Sequence, residues 1–321
     1  MLSSNISITT AATSDLGRKR KNNEDCFGCF FASGMASTGG SEHIVRRHEE
    51  QVDGKTKNPG ELLTKGTPSA ARPALLAVVC DGMGGAEGGE VASALGVDTL
   101  GRWSRSCCDK TEADADVATP DAPTQEIAIA PSPAALAAAA LAADKAVWDA
   151  ALADEKLQGM GATLSALWIA NDRYAIAQVG DSRIYLWRAG VLTQLTEDQT
   201  VLNRLKKDGK IPEKPAIAAR FKSTLEQALG SEPGLLKPET QTGELQDGDL
   251  YILCSDGLYD GIDGDALAAF LKRHAGRLPL QELSQRLVSE SVEKSGRDNT
   301  TAVLVAVGDL RPMGGFFGRF L

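Results

Sequence analysis

Five aspartates sit where apolar runs begin or end. Asp81 follows Val78-Val79-Cys80, Asp181 follows Ala177-Gln178-Val179-Gly180, and Asp256 follows Tyr251-Ile252-Leu253-Cys254-Ser255. Asp298-Asn299 precedes the apolar run at 301–307, and Asp25 ends the polar run Asn22-Asn23-Glu24. One such acid is ordinarily a turn former, because its side chain bonds to nearby backbone amides. Five from separate parts of a chain can converge on one end of a sheet. Clustered carboxylates repel and are costly to desolvate, so such a cluster requires cations. Oxygen ligands suit Mg²⁺ or Mn²⁺, whereas zinc favours His and Cys. A carboxylate bridging two such ions is the arrangement that in-line attack on phosphate uses.

The neighbours of these acids narrow the chemistry. Asp81-Gly82-Met83-Gly84-Gly85 lets the backbone turn and bring a carbonyl to a metal. A nucleotide phosphate loop is excluded there, since no Gly-Lys-Ser/Thr follows and the dinucleotide glycine spacing is incomplete. Arg20 lies five residues before Asp25. It either offers a planar fork to phosphate oxygens or belongs to a solvated run with Arg18, Lys19 and Lys21.

The elements that must carry these residues are short. The run at 74–80 reads as a buried strand feeding a turn, followed by helices at 88–104 and 134–153. From 163 the pattern becomes strands at 164–169, 174–179, 184–187 and 191–195 separated by turn residues, which reads as one antiparallel meander. A helix near 199–207, a strand at 250–254, helices at 266–274 and 280–294 and a last strand at 301–307 complete the pattern. Strands in blocks with irregularly placed helices indicate α+β rather than a doubly wound parallel sheet. The stretches 33–72 and 109–133, polar and acidic respectively, read as mobile surface insertions in a single domain over 1–310. The tail 311–321 carries an aromatic cluster that reads as docking on the domain.

Composition agrees with a solution enzyme. The formal charge of −9 argues against a nucleic-acid binder, which needs a basic face. The start shows no secretory signal, and the apolar stretch 133–143 is too short to span a membrane, so a cytoplasmic protein is expected. Six cysteines show no disulfide framework. Cys26-x-x-Cys29 has no second pair to make a zinc site.

Eight motifs occur in an order that resembles the type 2C, or PPM, serine/threonine phosphatases, bacterial branch. They are Gly17-x-x-Arg20-x-x-Asn23-Glu24-Asp25, Asp81-Gly82-Met83-Gly84-Gly85, Gly161-Ala162-Thr163, Val179-Gly180-Asp181-Ser182-Arg183, Leu195-Thr196-x-Asp198, Ala228-Leu229-Gly230, Cys254-Ser255-Asp256-Gly257-Leu258 and Gly296-Arg297-Asp298-Asn299. The resemblance implies a sandwich of two antiparallel sheets flanked by helices, in four αββα layers. It implies two or three Mn²⁺ or Mg²⁺ ions. Asp81 would bridge two of them, Asp256 and Asp298 would hold the first, and Asp25 or Glu24 with the Gly82 carbonyl the second. Asp181 with Asp256 would form a third site, and Arg20 would bind the substrate phosphate. A hydroxide bridging the two cations would attack phosphoserine or phosphothreonine of a protein substrate, opposing a Ser/Thr kinase in bacterial signalling, and the protein would act as a monomer. Met83 stands where many relatives carry a histidine, and Gln199 where a histidine often follows the Leu-Thr-x-Asp motif. A phosphatase fold serving only as a scaffold and a hydrolase of small phosphate esters are the rival expectations. The acidic residue at every expected ligand position favours an enzyme over the scaffold.

Overall fold

The computed structural model describes residues 7–32, 44–46, 62–66, 74–84, 88–115, 131–212, 214–308 and 310. The strands are β1 (Ile8–Asp15), β2 (Asp25–Ala32), β3 (Ile44–Arg46), β4 (Leu62–Gly66), β5 (Ala74–Met83), β6 (Gly161–Ala162), β7 (Leu164–Ala170), β8 (Arg173–Val179), β9 (Arg183–Arg188), β10 (Val191–Gln194), β11 (Glu239–Glu244), β12 (Leu250–Cys254) and β13 (Thr300–Val307). The helices are α1 (Gly88–Ala115), α2 (Pro133–Ala153), α3 (Val201–Lys207), α4 (Pro215–Lys222), α5 (Asp256–Gly261), α6 (Gly264–His274) and α7 (Leu280–Lys294).

Two antiparallel sheets stack face to face. One runs β10-β9-β12-β13-β1-β4, the other β11-β8-β7-β5-β2-β3, with β6 pairing the end of β5. Their facing sides bury Phe27, Val79, Ile176, Tyr251, Val303 and Val305 in one inter-sheet core. On the outer face of the second sheet, α1 and α2 bury Leu100, Leu136 and Val147 against Val78 and Leu164. On the outer face of the first, α6 and α7 bury Phe270, Leu271 and Leu287 against Ile252 and Leu304. Cover on both faces buries β7, β12 and β13 at every position, and they are apolar apart from Ser165, Thr300 and Thr301. The layers are therefore αββα, as the resemblance implied.

Local signals set the element ends. Ser132 caps α2, its hydroxyl accepting from Ala135 N at 3.3 Å, with Pro133 in the first turn. Ala189 and Gly190 both have positive φ, at 49° and 82°, giving β9 and β10 the tight turn whose twist matches a hairpin.

Four expectations are corrected. The strand ending at 80 continues through Asp81, Gly82 and Met83, because Gly82 and Met83 pair with Ala162 and Gly161. The meander is not one sheet: β7 and β8 pair in the second sheet, β9 and β10 in the first, and the chain crosses between sheets at Gly180–Ser182, where Gly180 has φ 87°. The stretch 33–72 contains two short strands, β3 on β2 and β4 on β1. Helix α1 runs past 104 to Ala115, into the stretch expected to be an insertion. The remainder of both stretches and the tail 311–321 lie outside the described residues.

Candidate metal centre

The five aspartates and Glu24 meet at one end of the sandwich, brought there by both sheets. Asp25 at the start of β2 and Asp81 near the end of β5 stand directly opposite each other in register. Asp181 lies in the crossover between β8 and β9, Asp256 opens α5 after β12, and Asp298 precedes β13. The second sheet thus supplies Asp25 and Asp81, and the ends of β12 and β13 supply Asp256 and Asp298.

Each acid is fixed by partners from elsewhere in the chain. Asp25 Oδ2 accepts from Ser255 Oγ and Thr301 Oγ1, both at 2.7 Å, so this carboxylate of one sheet is gripped by the other. Asp81 N donates to Thr163 Oγ1 at 2.9 Å, Thr163 N donates to Asp81 O at 2.9 Å, and the Thr163 hydroxyl meets Ser182 Oγ at 2.6 Å. The Gly161-Ala162-Thr163 motif therefore fastens Asp81 to the Asp181 crossover. Asn299 donates to the Leu16 and Asn22 carbonyls, each at 3.0 Å, and its Oδ1 accepts from Glu24 N at 2.8 Å. Those bonds hold Glu24 beside Asp298.

Gly82 is required by close approach. A Cβ there would collide with the Gly89 carbonyl oxygen and stand 2.7 Å from the Glu24 carbonyl oxygen. Gly82 N donates to that same Glu24 oxygen at 3.1 Å. The turn expected of the glycines falls at Gly84, with φ 146°.

The electrostatics are those of acids that are buried and crowded together. Desolvation, followed by the charges of Asp25, Asp256, Asp181 and Asp298, pushes the Asp81 carboxyl well above the usual carboxylate range. Burial also lifts Asp256 to about 8, with Asp181 and Asp298 adding to the shift. Asp25 is raised to about 6, mainly by burial and against the hydrogen bonds from Thr301 and Ser255. Asp181 is raised to about 6 by burial and by Asp198. Such groups ionise together only when positive charge is supplied.

Among the described residues no three acidic, His or Cys side chains are already drawn around a common point. Two oxygens nevertheless fit a cation: Asp25 Oδ1 and Asp256 Oδ1 are buried without any hydrogen-bond partner among the described residues. A buried carboxylate oxygen left unpaired is costly unless a cation completes it. The donor set is all oxygen, the chemistry of Mg²⁺ and Mn²⁺ sites. Arg20 is the positive group now at the centre, its Nη2 2.6 Å from Asp298 Oδ2 and its Nη1 3.6 Å from Glu24 Oε2. Of its two sequence readings, the structure separates Arg20 from its exposed basic neighbours by these ion pairs.

Three further residues take positions beside the site that the sequence reading did not assign them: Gln199, noted there outside the ligand set, Tyr259 and Glu90. Gln199 and Gly180 bond reciprocally: Gly180 N donates to Gln199 Oε1 at 2.8 Å and Gln199 N to Gly180 O at 3.0 Å. Tyr259 donates to the Asp181 carbonyl at 3.2 Å, and Arg183, paired bidentately with Asp198 at 2.8 and 2.6 Å, lies over its ring at 3.5 Å. Glu90, near the start of α1, keeps Oε1 buried without a partner among the described residues, and its charge adds to the burial that raises Glu24. The Leu-Thr-x-Asp motif was the one signal for the Arg183 partner, and no signal marked Tyr259 or Glu90.

Comparison with known proteins agrees with this geometry. The family model for protein phosphatase 2C matches residues 68–290. The chain is similar to the serine/threonine protein phosphatase PstP of Mycobacterium tuberculosis, at 32% identity over 237 residues, 74% of this chain and 41% of that protein. It is similar to the serine/threonine phosphatase stp of Listeria monocytogenes, at 31% identity over 231 residues, 72% of this chain and 83% of that protein. A crystal structure of the catalytic domain of PstP in complex with 2 manganese ions superposes with a TM-score of 0.62 at 29% identity, covering 95% of this chain and all of that one. The match thus spans less than half of PstP's own length. Since the family model covers well over half of the 321 residues, this chain belongs to the protein phosphatase 2C family.

Proposed function

We propose that this protein hydrolyses phosphoserine and phosphothreonine in protein substrates, using two or three Mn²⁺ or Mg²⁺ ions. The observation that carries the reading is the pair of opposed carboxylates, Asp25 and Asp81, surrounded by Asp256, Asp181 and Asp298 and retaining orphaned buried oxygens. The manganese-bound relative supports the choice of cation. Bound divalent cations supply an activated water and positive charge to offset the phosphate oxygens.

The chain's own groups do the rest. Asp81, flanked by carboxylates on both sides, is suited to bridge two cations. Asp256 and Asp298 would hold the first, Glu24 or Asp25 with the Gly82 carbonyl the second, and Asp181 with Asp256 a third. Arg20 has its head half exposed at the mouth of the site. With Asp298 and Glu24 serving as cation ligands, the Arg20 guanidinium would be free to fork onto two phosphate oxygens, binding and orienting the substrate. Met83, 38% exposed, brings an apolar side chain where a proton donor would otherwise stand.

The phosphorylated substrate must be supplied by a kinase acting on Ser or Thr. The catalytic unit is taken as one domain over 1–310, monomeric, without a nucleic-acid or membrane partner. No helix among the described residues is long and apolar enough to cross a membrane. Cys29, Cys80 and Cys254 are buried thiols, and a cytoplasmic setting is part of this reading.

The test is phosphate release from a phosphothreonine peptide and from p-nitrophenyl phosphate, with Mn²⁺ present or chelated. Metal-dependent turnover of the peptide supports a protein phosphatase. Turnover of the small ester alone supports a small-ester hydrolase, and turnover of neither supports a scaffold.

A further inference from the structure

Two segments of this acidic chain carry a net positive charge, one paired with the carboxylate centre and the other anchored beside it. The first is Arg18-Lys19-Arg20-Lys21, whose Arg20 pairs with Asp298 and Glu24. The second is the excursion 201–224, holding α3 and α4, with seven basic and two acidic side chains and hence a net charge of +5. With these segments contributing +4 and +5 to a formal total of −9, the rest of the chain carries −18.

The excursion is anchored at the metal-centre edge at both ends of its course. Its neck is closed by Val201 N donating to Thr224 O at 2.9 Å, and by Glu226 N donating to Gln199 O at 2.8 Å. Gln199 is the residue that brackets Gly180, next to Asp181. The last turn of α4 is tied down separately, by Lys222 Nζ to Asp260 Oδ1 at 3.1 Å, beside the Tyr259 that bonds the Asp181 carbonyl.

The charges are available for a partner. Arg204, Lys207, Lys210 and Lys222 have carboxylate partners, but Lys206, Lys214 and Arg220 are exposed and form no ion pair among the described residues. Arg18, Lys19 and Lys21 are likewise exposed without such a pair. Ile211 and Ile217 are exposed on the same excursion, 60% and 41% respectively.

We propose that these two segments form a substrate-recognition rim, and that the preferred substrates carry acidic side chains on both sides of the phosphorylated residue. This rests on the phosphatase reading above. These two segments hold 11 of the 34 basic residues, one paired with the acidic centre through Arg20 and the other anchored beside Gly180 and Tyr259. An acidic peptide would otherwise be repelled by a body of −18, so a local basic rim is what allows such a chain to reach the site.

The experiment uses three phosphothreonine peptides of equal length with acidic, neutral or basic flanks, assayed with Mn²⁺. The expected result is a kcat/KM about tenfold higher for the acidic than for the neutral peptide, with the basic peptide lower still. The preference should shrink at about 1 M KCl, where the Debye length is about 3 Å. Combining Lys206→Glu, Lys214→Glu and Arg220→Glu should bring the acidic-to-basic ratio close to one or invert it. Because a ratio is read, general loss of activity does not imitate the effect. Equal kcat/KM for the three wild-type peptides, or an unchanged ratio in the triple variant, overturns the recognition rim while leaving the phosphatase reading intact. Turnover of p-nitrophenyl phosphate with none of the peptides overturns both.

Discussion

Asp25 and Asp81 face each other across the β2–β5 ladder, two carboxylates in register where like charges destabilise a sheet. The fold accepts this pairing because Ser255 and Thr301 of the other sheet bond one oxygen of Asp25, while its other oxygen is buried without a hydrogen-bond partner among the described residues.

Removing cations should make stability depend on pH in an unusual direction. Asp25 and Asp181 are raised to about 6 and Asp256 to about 8, above the 3.8 of an unfolded aspartate. The folded state therefore holds protons that the unfolded state releases, so folding is favoured below that range and loses stability as pH rises from about 4 to about 8. In EDTA, the Tm at pH 8 should lie about 5 °C or more below that at pH 5.5, and Mn²⁺ should close the gap. A Tm that rises with pH in EDTA would contradict the burial of these carboxylates.

Gly82→Ala tests whether the glycine serves close packing. The added methyl meets the Gly89 and Glu24 carbonyls, so the variant should lose about 1–3 kcal/mol or more in urea unfolding. Gly209→Ala, at a glycine with open space around it but φ 69°, should show only the smaller cost of a strained backbone, about 1 kcal/mol.

Asn299 is predicted to be the clamp of the Glu24 arm. Asn299→Ala leaves the Leu16 and Asn22 carbonyls and the Glu24 amide without their partner, costing about 2–4 kcal/mol. Asn299→Asp should do no better, since a carboxylate cannot donate to either carbonyl. Recovery of wild-type stability in the Asp variant would show that the two donated bonds contribute little.

Legibility of the fold in the sequence followed the strength of burial. Strands β12 and β13, buried at every position and apolar apart from Thr300 and Thr301, were evident, as were α2 and α7. Strand β1 was not, because Ile8–Asp15 is built from Thr, Ala and Ser whose small side chains admit α7, with Ser284 Oγ 2.9 Å from Thr13 Oγ1. Edge strand β11, Glu-Thr-Gln-Thr-Gly-Glu, has no apolar pattern to read. Local turn signals made β7 to β10 look like one meander, yet whether a turn stays in its sheet is decided by the core, and at Gly180 it does not. The acidic set was legible because charge at the ends of apolar runs is rare enough to notice. Tyr259 and Glu90 were not, since an aromatic or an acid inside a helix looks like any other until the tertiary structure turns it toward the site.

The most direct test is calorimetric titration of Mn²⁺ into EDTA-stripped protein, comparing the wild type with Asp81→Asn. A bridging Asp81 predicts at least two Mn²⁺ bound by the wild type and loss of both high-affinity events from the single substitution. Two Mn²⁺ bound equally well by Asp81→Asn would contradict the account, placing the cations elsewhere than between the opposed carboxylates.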